Sequence, residues 1–185
     1  MDSLKRVLLA VVRVYVGAQW LQAAWGKLTN PAWVGDHAGT AITGFFQHSL
    51  QLASGEHPAV QWWYAWFIQH VALPSAGFFS YLVPTGEALV GIGLTLGAFT
   101  GFSALVGAFM NLNFMLAGAT STNPILFTLE IVLVATRKLA GAYGLDAWLQ
   151  PRLLPLQQWL RARLQTLWPL SQTRAAAAST DQGAR

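Results

Sequence analysis

The chain contains no cysteine, which excludes disulfides, dithiol redox chemistry, thiolate metal sites and covalent haem attachment through its own residues. Any redox role therefore depends on a borrowed cofactor. Charge is scarce as well: Asp, Glu, Lys and Arg make up 10% of the 185 residues, against about 25% in a soluble domain. Not one Lys or Arg falls between Thr29 and Leu73. The remaining basic residues cluster beside apolar segments, where topology determinants belong, so the net charge of +4 does not point to nucleic acid. Four histidines, His37, His48, His57 and His70, lie in that same stretch, and none stands four residues from another. Helical metal-ligand spacing is thus missing, and no metal is expected.

What is present is hydrophobicity, at 54% of residues with nine tryptophans and a mean hydropathy of +0.42. An all-α integral membrane protein follows. The run 7–28 is about 33 Å long as a helix, enough to cross a bilayer, and too long for an ordinary leader peptide. Arg13 inside it costs about 2.5 to 3.5 kcal/mol, against nine Leu and Val residues at about −0.3 to −0.6 kcal/mol each, so insertion remains feasible. Arg13, Gly17, Trp20, Ala24 and Lys27 fall on one helical stripe suited to a neighbouring helix. Lys27, at the end, can snorkel outward.

Further spans are expected over 75–98, 101–118 and 124–140, with Gly93, Gly97 and Gly101 as a ridge for close helix approach. The piece 59–73 is apolar, but it is short, rich in Trp and followed by Pro74. It reads as a helix lying at the interface. Four spans place both basic termini on the cytoplasmic side of the cell (inner) membrane and the histidine-containing loop outside. The fold class is therefore a four-transmembrane-helix bundle, residues 1–150, with an extracytoplasmic loop carrying short interfacial helices. A basic amphipathic helix over 151–170 and a disordered tail over 171–185 complete the chain.

Glu87 sits in the middle of the second span, where an ionisable group needs protein, water or a ligand beside it. Pro84 and Gly91 flank it and leave backbone and space open, which makes Glu87 the candidate catalytic proton acceptor. Glu130 lies in the uninterrupted run ILFTLEIVLVA and is the expected structural ion-pair partner of Arg13. Arg13, Lys27, Asn111 and Asn113 are candidate substrate-binding residues, because a bundle can converge them with Glu87 beneath apolar walls. The alternatives are a scaffold or assembly subunit in which the ion pair only locks the bundle, and a small-solute transporter, for which no paired broken helices are seen.

The order of motifs resembles the DoxX family of small four-helix membrane proteins, and most of all its DoxD branch. The likeness rests on Arg13 and Gly17, Trp25-Gly26-Lys27-Leu28 with Asn30-Pro31 and Trp33, and Gly86-Glu87 followed by Gly91-Ile92-Gly93-Leu94-Thr95-Leu96-Gly97. Asn113-Phe114, Asn123-Pro124 and Ala140-Gly141-Ala142-Tyr143-Gly144-Leu145-Asp146 complete it. What the resemblance implies is a quinone-linked oxidoreductase subunit that oxidises thiosulfate to tetrathionate with a partner subunit. Quinone is then the electron acceptor. No appended partner domain is visible, and a homo-oligomer is the other assembly expected in the bilayer.

Overall fold

No proline or glycine pair interrupts Asp2–Leu28, and this stretch forms one helix of 27 residues, α1. The computed structural model describes residues 2–155, 158–159 and 162–163. Asn30-Pro31 ends α1, and the chain continues through α2 (Thr40–Gln51) and α3 (Trp62–Phe67), the latter running into a π turn, Ile68–Ala72. Then come α4 (Ala76–Leu96), α5 (Thr100–Leu116), α6 (Asn123–Ala135) and the single turn α7 (Arg137–Ala140). Helix is the only regular structure among the described residues.

Two of these helices, α1 and α4, are long and apolar enough to cross a membrane, and α5 and α6 are shorter apolar helices. The chain divides into two units, 1–147 and 148–185. In the second, residues 148–155 are helical and the Arg152 guanidinium lies 3.7 Å from the Trp148 ring centre. The amphipathic helix expected over 151–170 falls partly, and the tail 171–185 wholly, outside the described residues.

In the first unit α1 packs antiparallel on α4, α4 on α5 and α5 on α6, with α1 also touching α6 and α7. Close approach at the α1/α4 seam needs two glycines. A Cβ on Gly17 would lie 2.7 Å from the Thr95 amide nitrogen, and one on Gly91 would lie 2.8 Å from that of Leu21. The ridge expected from Gly93, Gly97 and Gly101 does not seat one helix. The chain reverses at Gly97, whose φ of +67° ends α4, so the three face Ser103, the Arg13 guanidinium and the Arg137 side chain respectively. The fourth expected span is also divided: α6 stops at Thr136, whose hydroxyl bonds back to the Val132 carbonyl at 2.7 Å, a competitor for the helix ladder.

Two apolar cores result. One joins Val16, Trp20, Val90, Leu94, Ala104 and Leu133 inside the bundle. The other gathers Ile42, Phe46, Val60, Tyr64, Ile68 and Ala117, so α2 and α3 form a packed cap and not a bare surface loop. Ser80 of α4 fastens this cap, since its hydroxyl donates to the Trp33 carbonyl and accepts from the Gly39 amide at 3.0 Å. The cap and the bundle between them shape the site.

Candidate functional site

Between the two cores lies a cavity of about 740 Å³, walled by aromatic rings that include Trp33, Phe45, Tyr64, Phe67 and Phe114. An aromatic space of this size, holding a few convergent polar groups, has the usual character of a small-molecule site. Its polar members come from every long helix: Gln19, Gln22 and Lys27 of α1, Glu87 of α4, Asn111 and Asn113 of α5, and Asn123 of α6.

Lys27 does not snorkel outward. Its Nζ donates to both carboxylate oxygens of Glu87, at 2.8 and 2.9 Å, and lies 5.4 Å from the Trp33 ring centre. Glu87 is 1% exposed while the Lys27 side chain keeps 24%. The ion pair therefore has one buried end and one end facing the cavity. Leaving the carboxylate alone inside the bundle costs more than withdrawing an ammonium on a flexible stem from the helix end, so the lysine turns inward.

The expected pair of Arg13 with Glu130 is not formed. Glu130 is fully buried, and its oxygens instead accept from the indole Nε1 of Trp20 at 2.6 Å and from Nδ2 of Asn111 at 2.8 Å. Nor does Arg13 meet Glu87. Its guanidinium bonds the carbonyls of Leu94, Thr95 (3.1 Å), Ala140 (3.1 Å) and Tyr143 (3.4 Å). The first three of those oxygens lie at the ends of α4 and α7, where the last carbonyls lack helical partners and the helix dipole favours a cation, and the fourth lies in the turn after α7. Arg13 is thus a helix-end clamp and is not among the residues that line this cavity.

Asn111 lines the cavity, its Nδ2 held by Glu130 and its Oδ1 without a partner among the described residues. Asn113 joins the cap to the bundle, because the Tyr64 hydroxyl donates to its Oδ1 at 3.0 Å and to its carbonyl at 3.1 Å. Burial pushes the Tyr64 hydroxyl up to about 12, so it remains a donor at physiological pH. Of the residues singled out from the sequence, the fold brings together Lys27, Glu87, Asn111 and Asn113 around one cavity. Glu130 sits behind it.

Three contributors were not identified from the sequence. Trp20 was placed on the packing stripe, yet a buried indole N–H requires an acceptor and so carried a signal. Tyr64 looked like one more interfacial aromatic. Asp146 caps α5 by accepting from the amides of Phe99 at 2.7 Å and Thr100 at 2.9 Å, and supplies negative charge near Arg13. Among the described residues no group of three or more metal-ligating side chains occurs. Comparison of the chain with protein-family models, with curated proteins and with solved structures finds no match.

Proposed function

We propose that the chain is a four-span subunit of the cell (inner) membrane with both termini cytoplasmic, and that its cavity binds a quinone as electron acceptor. The observation that carries this reading is the Lys27–Glu87 pair standing at one side of an aromatic-walled space of about 740 Å³. A quinone ring stacks on aromatic walls, and its carbonyl accepts a hydrogen bond from a lysine N–H. Reduction of that ring takes up two electrons and two protons. Lys27 and Glu87 are the groups able to hold and pass a proton to its oxygen. Leu82, Gly86, Phe109 and Met110 line the cavity between α4 and α5, with Leu82 and Phe109 exposed. This apolar slot suits a hydrocarbon tail.

The electron donor in this reading is thiosulfate, handled with a partner subunit: two thiosulfates join through a new S–S bond and release the two electrons that the quinone accepts. A scaffold role is supported by a different set of contacts, the Arg13 clamp and the Glu130 network, which hold helices together through groups other than the Lys27–Glu87 pair. A short-tailed quinone added to the protein in lipid nanodiscs decides between the two. Quinone binding should raise the unfolding temperature of the wild type, and Glu87→Gln and Lys27→Gln should weaken that rise. In membranes given thiosulfate and the partner, Glu87→Gln should lower quinone reduction at unchanged expression. A wild type whose unfolding temperature ignores quinone would remove the redox reading and favour the scaffold.

A further inference from the structure

The exposed residues of the cavity lining fall in two places of opposite chemistry. At one, Leu82, Gly86, Phe109 and Met110 present only apolar atoms and a glycine. At the other, Gln22 of α1 and Thr122 and Asn123 at the start of α6 all line the cavity; Gln22 and Thr122 are exposed, and Gln19 lies half-buried one turn along α1. Two glutamines within the long apolar run of α1 are unexpected against hydrocarbon, where each amide would go unsatisfied. Beside a water-filled opening they are satisfied.

We infer that the α1/α6 opening is an aqueous route into the cavity, by which a small water-soluble solute bearing a hydrogen-bond acceptor reaches Lys27 while the lipid-borne ligand enters between α4 and α5. The inference rests on reading the cavity as a ligand site, and assigns its second entrance. Lysine has three N–H donors, and Glu87 takes two of them. The third, on a side chain that keeps 24% of its surface exposed, is available to an incoming oxygen. Gln19, Gln22 and Asn123 offer further neutral donors along the way, so the route selects for hydrogen bonding without repelling either sign of charge.

The absence of cysteine makes the test direct. Gln19→Cys, with Gln22→Cys as a second reporter, is placed in nanodiscs and treated with a negatively charged, water-soluble thiosulfonate. Both cysteines should react, and adding Thr122→Trp at the opening should slow the reaction at residue 19 about tenfold. Gly86→Trp, which obstructs the slot between α4 and α5, should leave that rate unchanged. Modification only by a lipid-soluble maleimide, or equal slowing by Gly86→Trp, would overturn the route. Quinone-induced shifts in unfolding temperature on the same variants separate the two ideas: a persistent shift with no aqueous reactivity rejects the route alone, and no shift with full reactivity rejects the quinone reading alone.

Discussion

Removing Lys27 leaves Glu87 inside the bundle with no other cation bonded to it among the described residues. Breaking one side of a buried pair costs about 3 to 5 kcal/mol, whereas replacing both by apolar groups is often neutral. Lys27→Leu should therefore lower stability strongly, and Lys27→Leu with Glu87→Leu should regain most of the loss, read by denaturant unfolding in detergent. Arg13 behaves otherwise. Its partners are backbone carbonyls, so Arg13→Leu should destabilise and adding Glu130→Gln should give no recovery, the two effects simply summing. That Arg13 is buried was legible in its place on the α1 stripe. Its partners were not, because the carbonyls at a helix end carry no side-chain signature and occur wherever a helix stops. Glu130 was misassigned for a related reason: an indole and an amide can satisfy a buried carboxyl without any countercharge, and sequence reading favours opposite charges.

At the scale of elements, α1, α4 and α5 were legible to within a few residues because long apolar runs ended by Asn-Pro, Pro or Gly leave little choice. The break at Thr136 and the π turn after α3 were not, since both depend on local hydrogen bonds that composition does not express. The α1/α4 seam offers a controlled comparison. Gly17→Ala forces a Cβ to 2.7 Å from a backbone nitrogen of α4, while Gly26 in the same helix has nothing within 4 Å. The first should destabilise clearly and the second should be neutral or gain up to about 1 kcal/mol from helix propensity. The cap has its own test in Tyr64, whose hydroxyl bonds Asn113. Burial raises its ionisation from 10.0 to about 12, so its stabilising contribution is complete below the lower value and is lost as pH climbs through the higher. Thermal unfolding measured across that window should show a decline that Tyr64→Phe lacks.

For the whole molecule, the cavity was legible as a convergence of polar residues from several helices, but its second wall was not. The cap of α2 and α3 supplies Phe45, Tyr64 and Phe67, residues that the sequence assigns to an extracytoplasmic loop and its interfacial helix. A packed cap also sharpens the topological question, because it must lie beyond the same end of the bundle as Lys27 and Asn123. In the proposed topology, which rests on the absence of Lys and Arg from 29–73 and their abundance near both termini, that end lies outside the cell. Single cysteines at Ser3, Ser54 and Ser171 in an otherwise cysteine-free chain report the sides directly. Ser54 is exposed in the segment between α2 and α3, so Ser54→Cys should react with an impermeant maleimide on intact cells. Ser3→Cys and Ser171→Cys should react only after the membrane is opened. Reaction of Ser171→Cys on intact cells, with Ser3→Cys protected, would mean an odd number of crossings, and α5 and α6 would then not each traverse the bilayer. Reaction of all three from one side would take α1 out of the membrane altogether, and the cavity with it.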